Sequence, residues 1–253
     1  MVLVAMGHSG VMCGRFVAGR DPVNLAAAMG VEELPERVLP PNYNVAPTQD
    51  VYIVRDHRDG DDERIARVLD IARWGLVPPW AKDAAIGNRM INARAETVAD
   101  KPAFRSSFTK RRCIVPADGF YEWQQPGEPG GRKIPHYLHP ADGTVLAMAG
   151  LYARWRDPSV ADDDDPAAWL LSTTILTTAA EGAVAGIHDR SPVPVAPSLW
   201  QEWLDPQVTG PDVLPRILIA PPEGYWDIYP VSTAVNSPRH NSPDLIDAVS
   251  PQS

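Results

Sequence analysis

Cysteine is scarce in this chain: its 253 residues include two, Cys13 and Cys113. Two thiols cannot make a disulfide framework, and lying 100 positions apart they lack the close pairing of a structural zinc site. Long apolar runs are missing as well. The longest unbroken apolar stretch is residues 1–6, against the roughly 18 residues that span a bilayer. The N-terminus has neither the basic start nor the extended apolar core of a secretory signal. These absences predict a cytoplasmic protein with no membrane segment, and no need for a metal or other cofactor is visible. Self-similarity at a fixed period is also lacking, which argues against a solenoid or propeller.

What is present is ordinary globular composition, 44% hydrophobic and 22% charged, with an acidic net charge of −9. That charge argues at first against nucleic acid, because Lys and Arg contacts to phosphate supply most non-specific affinity. Its distribution reverses the inference. Residues 73–133 hold 11 Lys and Arg against 6 Asp and Glu, while the remainder holds 12 against 26. A basic middle inside an acidic remainder leaves room for a positive groove that takes an anionic ligand.

The 27 prolines belong to turns, edges and connections rather than to helix interiors or central strands. Asp21, Pro22 and Gly30 have the residue types and spacing of a cap, a first turn and a stop around a short helix. Segments 51–54, 65–73, 113–116, 135–138, 145–151 and 169–176 are short, β-branched or aromatic, and bounded by Gly, Pro and Asp, which predicts strands. Helical patterning returns at 178–185 and 198–204. The expectation is an α+β fold: one β-rich domain with a mostly antiparallel sheet and a few flanking helices. Residues 1–12 read as a leader, 13–235 as the domain, and 236–253, with its Ser, Pro and Asn, as a flexible tail.

Five islands mix polar functional groups with turn formers. They are Met12-Cys-Gly-Arg-Phe16, Tyr43-Asn-Val-Ala-Pro47, Trp74-Gly-Leu-Val-Pro-Pro-Trp80 with Asn92-Ala-Arg-Ala-Glu96, Pro116-Ala-Asp-Gly-Phe-Tyr-Glu-Trp123, and His188-Asp-Arg-Ser-Pro192. In this order and spacing, from about Met12 to Val231, they resemble the SRAP family, the SOS-response-associated peptidase fold whose members crosslink to abasic sites in single-stranded DNA. The resemblance implies the same partner here, with the protein acting as a monomer in the cytoplasm and on the nucleoid when bound to DNA.

Cys13 is the key residue under this resemblance. A ring-opened abasic site is an aldehyde. A cysteine with a free α-amine condenses with it to an imine, and the thiol then closes a five-membered thiazolidine. An α-amine has a reference pKa of about 7.7–8.0, so a neutral fraction exists near neutral pH, unlike a lysine at about 10.4. The thiol, near 8.5, is also readily activated. Here the chain departs from the family pattern, because twelve residues precede Cys13. An internal cysteine cannot form the ring. Either translation starts at Met12 and the methionine is removed, which we favour, or the leader is cut off by autoproteolysis.

The resemblance assigns further roles. Glu122 is placed as a proton shuttle in imine formation, and His188, a side chain that titrates near neutrality, as a proton carrier at the sugar or in reversal. Asn92 offers an amide donor and acceptor to orient the aldehyde. Arg15, Arg94 and Arg190 form a backbone-binding set, since guanidinium groups grip phosphate bidentately; Arg94 could instead pair with Glu96. Trp74 and Trp80 are candidates to stack on bases, with a core position open for Trp74. Asn44 and Pro47 shape the cleft wall. Two alternatives remain: a non-covalent reader of modified or single-stranded DNA, and a thiol peptidase with His188 as base. Lyase activity at the imine is a further side reaction of the covalent scheme.

Overall fold

The computed structural model describes residues 14–58, 65–127 and 130–249. The expected capped helix is present. In α1 (Pro22–Met29) the Asp21 side chain accepts the Val23 N–H at 2.8 Å, and Gly30 ends the helix at φ +65°, a left-handed conformation that glycine adopts at little cost.

Twelve strands follow one another among the described residues. They are β1 (Phe16–Ala18), β2 (Asn42–Val45), β3 (Asp50–Arg58), β4 (Ile65–Trp74), β5 (Asn92–Arg94), β6 (Arg112–Ala117), β7 (Gly119–Gln124), β8 (Ile134–Pro140), β9 (Leu146–Arg156), β10 (Trp169–Ala179), β11 (Arg190–Pro192) and β12 (Trp226–Pro230). A five-stranded sheet has the order β12-β8-β7-β1-β2, and a seven-stranded sheet the order β11-β10-β4-β3-β6-β9, with β5 beside β10. Because β9 also pairs with β10, the strands from β10 through β4, β3 and β6 to β9 close into a ring. Pairing is antiparallel except where β10 meets β4 and β5. The fold is thus a single β-rich α+β unit, as expected.

Period-two alternation divides the seven-stranded sheet between two cores. Tyr52, Val54, Ile114, Leu151 and Leu176 point to a cluster shared with the helices: α1, α2 (Arg105–Lys110), α4 (Trp200–Leu204) and α5 (Gly210–Ile217). Val51, Ile53, Trp74, Val115, Met148 and Ile175 point the other way, into a cluster shared with Phe16, Phe120 and Leu138 of the five-stranded sheet. The outer face of that smaller sheet carries Val17, Tyr121 and Tyr137, and is covered by Val231, Val235 and Leu245.

Two expectations need correction. The patterned segment 178–185 is helix only in its second half: β10 runs to Ala179, and α3 (Gly182–Ala185) follows. The expected flexible tail is a packed strap through residue 249. Its polar groups, which read as solvent-seeking, are instead consumed internally: Asn44 Nδ2 donates to the carbonyls of Val235, Ser237 and His240 at 3.0–3.2 Å, and the Tyr43 N–H donates to Asn241 Oδ1 at 2.8 Å. Leu245 is 1% exposed beneath it.

Candidate active site

The candidate residues lie on β7, at the start of β5 beside β10, and in the loop before β11. Glu122 lies on the inner face of β7, alternating with Tyr121 and Trp123, and is 2% exposed. It therefore works away from bulk water. Directly opposite it on β8 is His136, also buried, with Nδ1 donating to the Ile134 carbonyl at 3.1 Å. Asn92 opens β5 opposite Ile175 of β10. His188 follows α3, its N–H donating to the Val184 carbonyl at 3.0 Å.

The ring of His188 is oriented by its backbone surroundings. The Arg190 N–H donates to Nδ1 at 3.1 Å, so in the neutral ring Nδ1 accepts and the proton resides on Nε2. A carboxylate oxygen of Asp189 lies 3.0 Å from the same nitrogen. Gln124, two residues beyond Glu122, donates Nε2–H to the Gly186 carbonyl at 3.1 Å. That bond ties β7 to the loop carrying His188.

Trp74 is the common support. It is fully buried, its ring meets Phe16 edge-on at 5.0 Å, and its Nε1–H donates to the Ile91 carbonyl at 2.9 Å. Phe16, Ile91, Phe120 and Val184 belong to the same cluster. Each lies one to four positions from a candidate residue: Cys13, Asn92, Glu122 and His188 respectively. Trp74 is therefore a core residue, which corrects its place among base-stacking candidates. A Pro-rich turn next door marks a bend, and the ring fills the space inside it. Trp80, 60% exposed, remains available to a base.

The arginines divide as well. Arg15 donates Nη1–H to Asn44 Oδ1 at 2.9 Å and to the Val235 carbonyl at 2.8 Å, and Nη2–H to the Asn236 carbonyl at 3.4 Å. Burial lowers its pKa. Arg15 and the fully buried Asn44 thus hold the strap rather than presenting donors to a ligand. Arg190 makes a two-pronged pair with Glu96, with Nη2 to Oε2 at 2.8 Å, and the hydrogen bond from Arg190 holds the Glu96 carboxyl below its usual range. Glu96 thus goes to Arg190, not to Arg94. Arg94 is exposed and has no ion pair among the described residues. Pro47 is half-buried at the second position of a turn whose third residue, Thr48, has φ +75°. Cys13 and the 1–12 leader lie outside the described residues. The Tyr121 N–H donates to the Arg15 carbonyl at 3.0 Å, so antiparallel pairing with β7 extends back from β1 at least to Arg15.

Gln124 and His136 escaped the sequence reading. Their signal was strand register, which places His136 opposite Glu122, and register is not visible without the pairing.

Residues 12–238 match SRAP, the SOS response associated peptidase family. The chain belongs to this family. Among similar proteins, the abasic site processing protein YoqW of Bacillus subtilis (strain 168) is 40% identical over 94% of this chain and 100% of its own length. The abasic site processing protein HMCES of Gallus gallus is 31% identical, covering 93% of this chain and 77% of the relative. The abasic site processing protein YedK of Escherichia coli (strain K12) is 29% identical over 94% and 100%. A crystal structure of a protein from Bacteroides thetaiotaomicron superposes with a TM-score of 0.77 at 24% identity, over 94% of this chain and 100% of that one, which shows that the two share a fold. Among the described residues, no helix is long and apolar enough to cross a membrane, and no group of three or more His, Cys, Asp or Glu is placed to hold a metal ion.

Proposed function

We propose that this SRAP protein processes abasic sites in single-stranded DNA by attaching itself to them through Cys13, exposed as the first residue. The observation that supports this is that Phe16, Ile91, Phe120 and Val184, sequence neighbours of Cys13, Asn92, Glu122 and His188, share one buried cluster with Trp74. The family match beginning at Met12 supports a start there, with the methionine removed.

The neutral α-amine of Cys13 attacks the aldehyde carbon of the ring-opened sugar, forming a carbinolamine. Glu122, shielded from water, protonates the departing hydroxyl, and one water leaves as the imine forms. The Cys13 sulfur then adds to the imine carbon; its proton ends on the ring nitrogen, and the thiazolidine is closed. No oxidant or cofactor is consumed. Nε2–H of His188 hydrogen-bonds the sugar oxygen as the ring opens, and the Asn92 amide orients the aldehyde. Outside the pocket, Arg94 contacts phosphate and Trp80 stacks on a flanking base. Cys113 cannot substitute for Cys13: it is fully buried, and desolvation pushes its thiol up to about 12.

The test is Cys13→Ala in a protein that begins at Met12, incubated with an abasic single strand and heated in denaturant. The scheme expects a heat-stable adduct for the unsubstituted protein and none for the variant. A heat-stable adduct formed equally by Cys13→Ala overturns it.

A further inference from the structure

Alternate residues of β8 share a face, so His136 lies on the same side of the five-stranded sheet as Leu138, which is paired with Phe120 in the cluster between the sheets. Ile134, Leu138 and Pro140 make up the rest of that strand face, and His136 is its one ionisable side chain. It is only 9% exposed.

Few groups face it. Its partner on β12 is Pro230, and its partner on β7 is Glu122, with Phe120 and Gln124 on the diagonals. The polar neighbours across the β7 pairing are therefore Glu122 and Gln124, and Gln124 already gives its Nε2–H to the Gly186 carbonyl. The facing carboxyl is that of Glu122, itself 2% exposed. The ring is also fixed. A carbonyl oxygen only accepts, so the 3.1 Å contact between His136 Nδ1 and the Ile134 carbonyl requires a proton on Nδ1. Nε2 is then the acceptor of the neutral ring. Directly opposed residues of antiparallel strands hold their Cβ atoms about 4.5–5.5 Å apart, within reach of a hydrogen bond between Nε2 and a carboxyl, direct or through one water.

We infer that His136 is a positioning residue for Glu122: its Nε2 holds the carboxyl by a hydrogen bond carrying one proton shared by the two groups, which Glu122 passes to the departing hydroxyl of the carbinolamine. That proton leaves in the water. The nitrogen sheds its own proton as the iminium becomes the imine, and this proton restores the pair. The inference rests on the crosslinking chemistry proposed above.

The experiment follows adduct formation by the protein beginning at Met12 over a range of concentrations of abasic single strand. His136→Phe keeps a ring in the space and removes Nε2; it is expected to lower the saturating rate about tenfold and to leave the half-saturating DNA concentration within about twofold. His136→Gln, whose amide offers a donor and an acceptor near the place of Nε2, should restore the rate to within about threefold of the parent. In a Glu122→Gln background, His136→Phe should slow the reaction no further, because His136 acts through Glu122. A purely structural role would slow both backgrounds alike. An unchanged rate for His136→Phe, no restoration by His136→Gln, or an equal drop in the Glu122→Gln background overturns the inference. A parent protein that forms no adduct overturns the covalent chemistry instead, and unfolding then decides the pair: His136→Phe and Glu122→Gln should be non-additive by about threefold or more in the unfolding equilibrium, and additive effects overturn the inference.

Discussion

Arg112 is 2% exposed and makes no direct ion pair among the described residues, yet donates to five backbone carbonyls: Trp203, Phe108, Thr109, Asp205 and Val208. All but that of Val208, which lies in the connection to α5, are acceptors at the C-terminal ends of α2 and α4, where a cation is favoured by the helix dipole. Arg112→Met should therefore cost about 3 kcal/mol or more, since each buried carbonyl left without a donor costs about 1–3 kcal/mol; urea unfolding reads this, and a loss below 1 kcal/mol would contradict it. The two tryptophans make a paired prediction. Trp74→Ala should lose about 3–5 kcal/mol of stability, whereas Trp80→Ala should stay within about 0.5 kcal/mol of the parent in unfolding and weaken DNA binding by about 1–3 kcal/mol. Thr48 is a β-branched residue at φ +75°. Its left-handed backbone costs about 1–3 kcal/mol, so Thr48→Gly should raise stability by up to about 1 kcal/mol after the added freedom of the unfolded chain; a fall in Tm would show that the strain is absent.

At the scale of elements, β7 explains why the site assembles. Its six residues are read by both cores: Phe120 and Glu122 face the larger sheet, Tyr121 faces the strap. Gln124 anchors its end to the His188 loop, so Gln124→Leu should slow adduct formation about tenfold or more while changing stability by only about 1 kcal/mol; an unchanged rate would mean that the hook does not position His188. The long strands β3, β4, β6, β8, β9 and β10 were legible in the sequence because several residues alternate between two faces. The three-residue strands β1, β5 and β11 carry no period to detect, and β7 was visible only as a cluster of chemical groups. The strap was misread for a physical reason: Ser, Asn and Pro signal solvent when nothing else satisfies them, and Asn44, buried 191 to 196 residues away in sequence, satisfies them here. Of the site, the residue types were legible but the division of labour was not. Which arginine meets phosphate and which meets carbonyls depends on long-range contacts.

For the whole molecule, the net charge of −9 conceals a division of roles. Of the candidate arginines, Arg15 and Arg190 are paired and Arg94 is exposed. DNA affinity should accordingly be modest and steeply salt-dependent, with covalent closure rather than tight binding retaining the lesion. The chemistry also sets a pH dependence. The reacting amine must be neutral, and the neutral fraction falls about tenfold for each unit below a reference pKa near 7.7–8.0. Adduct formation should therefore quicken from pH 6 to 8 and level off above, and a rate that falls across that interval would contradict amine attack. The most direct test of the account is the intact mass of the protein beginning at Met12, and of the full 253-residue chain, after exposure to a single strand with one abasic site. The account predicts that the shorter chain loses its methionine and gains the oligonucleotide mass less one water, while the uncleaved longer chain gains nothing. No mass gain by the shorter chain, or an equal gain by both, would contradict capture through an N-terminal Cys13.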